Sequence, residues 1–316
     1  MITRDYISNR LKDLSFNPEI LARYDESHRH YHTMDHVIEV LGYLQTHIDC
    51  NELFLTAVFH DIIYDPRSKT NEEDSAALFL KEAAGTGISD KSKENIRQMI
   101  LETAHHRPGS DLSKVFIEAD LAILNQSLDK LLTYEEQIFK EYQFVDYKIY
   151  KTKRIEVLEH YNQFGRLNTL MDYVRHCKPR IGVFAGSFNP FHKGHYNVLQ
   201  KAEKIFDKVI IAFGKNPDKN ARTWDVPKTI GYRQIEGYDG LLTDFIDSLG
   251  YDVTVIRGLR NSTDFQYEQN QYRYIQELMP GIKIVNIFCD KEFEHISSSG
   301  IRTLEKYDKH RQYLLP

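Results

Sequence analysis

Gly182-Val183-Phe184-Ala185-Gly186-Ser187-Phe188-Asn189-Pro190-Phe191-His192-Lys193-Gly194-His195 is the stretch that decides the second half of this chain. Its apolar start, residues 181–185, reads as a short buried strand. Gly186 then allows an unusual dihedral and a close backbone approach to a ligand. Ser187 offers a hydroxyl donor. His192-x-Gly194-His195 opens a helix, where backbone N–H groups and the helix dipole favour an anion. Two imidazoles with a slim glycine between them suit a polyphosphate, and few structural needs place that trio there. The stretch is not a Walker-type loop, so phosphate contact would rest on imidazoles.

Working outward, residues 209–213, 253–256 and 283–288 repeat the pattern of short β-branched or aromatic runs. Amphipathic segments at 195–205, 241–249 and 264–278 lie between them. This alternation predicts βαβ units and a doubly wound parallel α/β sheet. Ligands of such sheets bind outside the carboxyl ends of the strands. Lys219 in Asn216-Pro217-Asp218-Lys219, Arg257 and Arg260, and the Ser297-Ser298-Ser299 turn before Arg302 are expected on that rim with His195. Each alone is ordinary: a solvated cation, or a serine capping a helix. Their convergence is what argues for a site.

Before residue 178 the texture is helical. Val37, Val40, Leu41 and Leu44, then Leu53, Phe54, Ala57 and Val58, recur at helical spacing. Breakers fall at Asp65-Pro66, at 85–87 and at 107–109. Pro179 disfavours helix at the residue before it. The expected division is therefore an all-α domain, 1–178, and an α/β domain, 179–316. Inside the helical text stand His28 to His36, the pair His60-Asp61, His105-His106 and Asp120. Imidazole nitrogens with carboxylate oxygens suit a divalent metal ion. A buried His-Asp pair without a partner is costly, and a metal resolves that cost. His60 and Asp61, adjacent on a helix, would point about 100° apart, so His36 and Asp120 are the natural further ligands.

Composition narrows the function classes. The 316 residues carry 41 basic and 46 acidic side chains, a net charge of -5, which argues against a protein that coats nucleic acid. No apolar run approaches a membrane span, and Met1 to Tyr6 lacks the apolar core of a secretory signal. Three scattered cysteines make neither a disulfide framework nor a four-cysteine zinc site. The expectation is a cytoplasmic enzyme without membrane or nucleic-acid partners.

The order His36, His60-Asp61, Asp120 resembles the HD-superfamily metal-dependent phosphohydrolases. The surrounding words, His30-Tyr31-His32-Thr33, Asn71-Glu72 with Ser75, and Thr103-Ala104-His105-His106, are similar to one helical subgroup of them. The resemblance implies metal ligands at His36, His60, Asp61 and Asp120, holding Mn²⁺, Fe²⁺, Ni²⁺ or Mg²⁺. It implies substrate contacts at Arg29, Glu72, His105 and His106, with the Arg29 guanidinium as a planar phosphate fork.

The second half resembles the nucleotidyltransferase superfamily and, within it, the phosphopantetheine adenylyltransferases. The discriminating words are Arg257-Gly258-Leu259-Arg260, Asp264-Phe265-x-Tyr267-Glu268, Met279-Pro280 and Ile296-Ser297-Ser298-Ser299. The resemblance implies transfer of AMP from ATP, with Mg²⁺, to 4′-phosphopantetheine in coenzyme A biosynthesis. His195, Lys219 and Arg257 would be catalytic. Gly186, Ser187, Phe188, His192, Gly194, Arg260, Glu268, Ser297, Ser298, Ser299 and Arg302 would bind ATP. Leu241 and Leu242 would pack the pantetheine arm, and the chain would form a homo-oligomer. Residues 220–236 depart from the family, carrying Trp224-Asp225-Val226-Pro227 in place of an acidic helix. Two other readings stay open: another acceptor, such as nicotinamide mononucleotide, or a nucleotide-sensing module that regulates the helical half.

Overall fold

The computed structural model describes residues 2–215 and 226–316. The chain divides into two compact units, Met1–Glu141 with Arg154–Arg175, and Tyr142–Lys153 with His176–Pro316. A single boundary at 178 does not describe this, because Tyr142–Lys153 groups with the second unit. The physical reason is Lys208, which is 1 % exposed. Its ammonium donates to the carbonyls of Gln143 and Val145, and the Tyr251 hydroxyl donates to Asp146 at 2.9 Å. Burial, only partly offset by Asp146 and Glu236, pulls the Lys208 pKa down to about 7.

The first unit is helical. Its early helices are α1 (Arg4–Asp13), α2 (Met34–Tyr43), α3 (Asn51–Phe59), α4 (Asn71–Glu82), α5 (Asp90–Glu102) and α6 (Asp111–Asp120). They enclose one core that includes Leu41, Phe54, Phe59, Phe79, Ile100 and Phe116. Every residue from Leu53 to Phe59 on α3 is buried, as befits a helix apolar on all sides. Next come α7 (Leu128–Glu141), α8 (Tyr147–Tyr161) and α9 (Asn168–His176). A smaller cluster of Leu131, Leu158, Leu167, Leu170, Met171 and Val174 holds the parts of these that lie in this unit.

The second unit runs β1 (Ile181–Gly186), α10 (Lys193–Ala202), β2 (Lys208–Gly214), β3 (Gln234–Tyr238), α11 (Leu242–Leu249), β4 (Thr254–Leu259), α12 (Ser262–Leu278), β5 (Lys283–Phe288) and α13 (Ser298–Glu305). The strands form one sheet in the order β3-β2-β1-β4-β5, every pair parallel. Side chains alternate between its two faces: Phe184, Ile211, Phe213 and Ile256 on one, Ile181, Val183, Ile210 and Ala212 on the other. The doubly wound sheet expected from the sequence is present. β3 is an addition, because Gln234-Ile235-Glu236-Gly237-Tyr238 is an edge strand with only Gln234 buried and so shows no apolar run.

The core also explains a glycine. A Cβ at Gly182 would run into Ile256 Cδ1 and sit 3.0 Å from the Phe206 ring. Gly182→Ala is therefore expected to destabilise this unit by about 1–3 kcal/mol, the usual cost of overpacking. A thermal melt followed by circular dichroism checks it, and an unchanged midpoint contradicts it.

Candidate functional sites

In the helical unit, four elements bring His36, His60, Asp61 and Asp120 together. His36 lies in the first turn of α2 and Asp120 ends α6. The sequence placed His60-Asp61 on a helix; in fact α3 ends at Phe59, His60 is its C-cap, and Asp61 falls in the following turn. The helix stops there as Arg29 takes the carbonyls of Asp61 and Ile62.

His36 Nε2 stands 3.2 Å from His60 Nε2 and 3.1 Å from Asp120 Oδ1. His60 Nε2 stands 3.0 Å from Asp61 Oδ2 and 3.6 Å from Asp120 Oδ1, and His36 Nε2 stands 3.6 Å from Asp61 Oδ2. Donor atoms of His36, His60 and Asp120 this close to one another suit the edges of a coordination shell with bonds of about 2.0–2.2 Å, and Asp61 stands beside His60. His36, His60 and Asp120 each present one ligand atom to a common point.

The tautomer fits as well. His60 Nδ1 lies 3.0 Å from the Ala57 carbonyl, which can only accept, so Nδ1 carries a proton and Nε2 is the nitrogen left to face the carboxylates, by a proton or by a lone pair on an ion. Burial resists charge on His60, yet Asp61 and Asp120 outweigh it and push its pKa well above the ordinary histidine range. Burial likewise resists ionisation of Asp120, but hydrogen bonds with His106, His36 and His60 hold it well below the carboxylate range. The pocket calls for a positive ion. Mixed imidazole and carboxylate donors suit Mn²⁺, Fe²⁺ or Ni²⁺ better than Mg²⁺, which prefers oxygen.

The other residues expected near this site divide. His106 sits 3.3 Å from Asp120 Oδ2 and accepts at Nδ1 from the Tyr161 hydroxyl at 2.9 Å. Its φ of 49° is left-handed, an uncommon strain for a non-glycine residue. His105, next to it, is exposed. Glu72 opens α4; burial, reinforced by Asp61, raises its pKa. Arg29 corrects the sequence reading. It is neither a solvent-facing phosphate fork nor a solvated cation, because its side chain is fully buried and its donors reach Glu26, His32, Asp61 and Ile62.

Sequence reasoning missed Glu141, whose side chain is fully buried. Burial resists its ionisation, but His32, the amide of His30 and Tyr64 outweigh it and bring its pKa to about 2. Nothing in the sequence marked it, since its partners lie 77 to 111 positions away.

In the α/β unit the strand order reverses between β1 and β4, the switch point at which such sheets bind ligands. The His192–His195 pair borders it. His192 is the N-cap of α10, and the two residues cap reciprocally: His192 Nδ1 accepts from His195 N at 3.4 Å, and His195 Nδ1 accepts from His192 N at 3.3 Å. The pair thus has a structural use that the sequence reading did not foresee. The same cap fixes the chemistry: Nδ1 accepts, so a neutral ring carries its proton on Nε2. Burial, then Arg260, lowers the His192 pKa to about 4. Burial, then His192 and Arg260, holds His195 well below the ordinary range. Two neutral, stacked imidazoles, 3.6 Å between centroids, therefore each offer an N–H donor.

Gly194 is slim by need, as a Cβ there would lie 3.2 Å from the His192 ring. Ser187 is exposed after β1. Phe188, expected on the ATP side, instead buries its ring against Phe184, Phe191 and Phe213, edge-on to His195 at 4.9 Å. That ring also explains Gly186, where a Cβ would lie 2.8 Å from it.

Arg257 lies in β4, pairs with Glu268 at 2.6 Å and approaches the Ala185 carbonyl at 3.4 Å. Arg260 makes a two-point pair with Asp264. Ser297 caps α13 by accepting from Gly300 N, and Ser299 bonds to Ser297. Ser298 and Arg302 donate to the carbonyls of Pro190 and Asn189, holding the loop after β1. Leu241 is exposed at the N-cap of α11, and Leu242 packs against the sheet face that holds Ile210. Lys219 lies outside the described residues. Among the described residues, no helix is long and apolar enough to cross a membrane.

Residues 183–231 match the family model described as cytidylyltransferase-like. The phosphopantetheine adenylyltransferase of Mycoplasma capricolum subsp. capricolum is 36% identical over 139 residues, 41% of this chain and 99% of that protein. The Cytophaga hutchinsonii protein of the same name is 35% identical over 146 residues, 43% of this chain and 97% of the relative. One from Streptococcus pneumoniae is 33% identical over 138 residues, 40% of this chain and 85% of the relative. These similarities fall on the C-terminal region. Through that region the chain belongs to the phosphopantetheine adenylyltransferase family of nucleotidyltransferases.

Proposed function

We propose that this chain is a bifunctional enzyme: its α/β unit transfers AMP from ATP to 4′-phosphopantetheine, and its helical unit is an HD-type metal-dependent phosphohydrolase. For the first activity, the observation that carries the reading is the His192–His195 cap, which presents two neutral N–H donors beside the switch point. The acceptor is already a phosphate, so it needs no strong base. One of its oxygens attacks the α-phosphorus of ATP, the α–β phosphoanhydride breaks, and pyrophosphate departs with the bond pair. Bound with ATP, Mg²⁺ neutralises charge on the phosphates. His195 and Arg257, with Lys219, position the triphosphate and stabilise its developing charge. The amide of Ser187 and the start of α10 line the path of the phosphates.

For the helical unit, the convergence of His36, His60 and Asp120, with Asp61 beside His60, carries the reading. A bound divalent ion supplies a Lewis acid for a phosphoryl oxygen and a more acidic water. His36, His60 and Asp120, with Asp61 beside them, would hold it, and Glu72 would take a proton.

The test combines ATP, Mg²⁺ and 4′-phosphopantetheine with the full chain and follows pyrophosphate and dephospho-coenzyme A by mass spectrometry. Nicotinamide mononucleotide runs in parallel. Product with the latter alone would replace the acceptor assignment; no pyrophosphate with either would remove the transfer activity. A screen of phosphorylated metabolites with Mn²⁺ tests the hydrolase, which falls if no phosphate is released from any of them.

A further inference from the structure

Two buried ionic side chains staple together the turns that carry the candidate metal ligands. Glu141, at the end of α7, uses Oε1 to accept the consecutive amides of His30, Tyr31 and His32 at 2.7, 2.7 and 3.0 Å. Its Oε2 accepts from the Tyr64 hydroxyl at 2.7 Å and meets His32 Nδ1 at 2.7 Å. Three successive N–H groups closing on one oxygen form an anion nest, filled here by the chain's own carboxylate. Arg29 works on the same turns from the other side. Its Nη1 donates to His32 O at 3.0 Å and Asp61 O at 2.7 Å, and its Nη2 donates to Ile62 O at 3.0 Å. His28 Nε2, 2.7 Å from the Tyr64 carbonyl, adds a third tie.

The turn held by Glu141 leads directly into α2, which carries His36. The turn held by Arg29 carries Asp61. The His32 ring stacks on Tyr64 at 4.2 Å and stands edge-on to His36 at 6.0 Å. We infer that Glu141, with Arg29, is a positioning residue of the metal centre: it sets the separation between the His36 and Asp61 donors without touching the ion. This rests on the metal-hydrolase reading of the helical unit.

Glutamine is the informative replacement at Glu141. Its amide must turn an NH₂ group either toward the three backbone N–H groups or toward Tyr64 and His32. Toward the backbone N–H groups donors face donors; toward Tyr64 and His32 the NH₂ is met only if the hydroxyl turns round and His32 Nδ1 gives up its proton, so either way the charged tie to His32 is lost and the staple weakens. The full chain carrying Glu141→Gln is expected to bind Mn²⁺ about 10–100-fold more weakly than the parent, as for other supporting-shell losses. Its Co²⁺ complex is expected to show a changed visible spectrum. Far-UV circular dichroism and adenylyl transfer should stay at the parent's values, which a general loss of structure would not allow.

Affinity within twofold of the parent, with a superimposable cobalt spectrum, overturns the inference. Should that variant fail to fold, Tyr64→Phe carries the test, because it removes one bond and keeps the ring stacked on His32. A several-fold weaker Mn²⁺ affinity supports the inference, and parental affinity overturns it. A parent chain that binds neither ion defeats the metal reading itself, and this inference with it.

Discussion

The His60→Ala chain is expected to retain no metal and to release phosphate only at background, while transferring AMP at the parent's rate. His60 is 1 % exposed, and its Nε2 is within 3.6 Å of His36, Asp61 and Asp120. Removing it takes away a ligand and leaves two largely buried carboxylates with less opposing charge. Asp120→Asn keeps the side-chain shape, removes the anionic oxygen, and is expected to give the same result. Metal content by elemental mass spectrometry, phosphate release and pyrophosphate release are measured on one preparation. Transfer should be untouched because the residues assigned to it are those of the α/β unit. If transfer is lost as well, the two activities are not separate and the bifunctional reading is too simple.

The His195→Ala chain is expected to lose about 10²–10³ in kcat for adenylyl transfer, the usual cost of one preorganised donor. Alanine also removes the reciprocal cap, which costs about 1 kcal/mol of stability. Two further variants separate these effects. Asparagine at position 195 places an oxygen where Nδ1 accepts from His192 N–H, keeping the cap without the distal donor. Glutamine places a donor near the Nε2 position without the cap oxygen. His195→Gln should recover part of the rate and His195→Asn should not; the reverse order would show that capping, not donation, is what the residue supplies.

The same pair gives a pH dependence. An exposed histidine titrates near 6.5, whereas burial and Arg260 lower His192 to about 4 and hold His195 well below the ordinary range. Between pH 6.5 and 4 the unfolded chain therefore binds protons that the folded site refuses. The contribution of these neutral rings is complete above pH 6.5 and is lost as pH falls through about 4. Melting of the α/β unit should accordingly drop between pH 7 and 5 and, for these groups, stay level from 7 to 8.

Much of the α/β half was legible because its information is local. The 181–195 stretch holds a strand, a turn and a helix start within a few residues, and the later strands repeat its apolar signature. β3 was not legible, because an edge strand with one buried residue carries no apolar run. The donor types of the metal cluster were legible too, because histidine and aspartate inside apolar helices need a partner. That His36 and His60 meet each other and the two carboxylates at 3.0–3.6 Å was not, since α2, the end of α3 with the turn after it, and α6 each supply a part.

By itself, then, the sequence determined a parallel α/β half, a helical half, and the kinds of atom each could offer a phosphate or an ion. Tertiary structure alone decided how single side chains are used. It turned Arg29 inward onto carbonyls, Phe188 into the core, and Arg257 onto Glu268. It also closed the carboxylate of Glu141 on amides 109 to 111 positions away. Periodicity reports which face of an element is buried. It carries no record of which distant donor a buried charge will meet, and that meeting is set only when the chain packs.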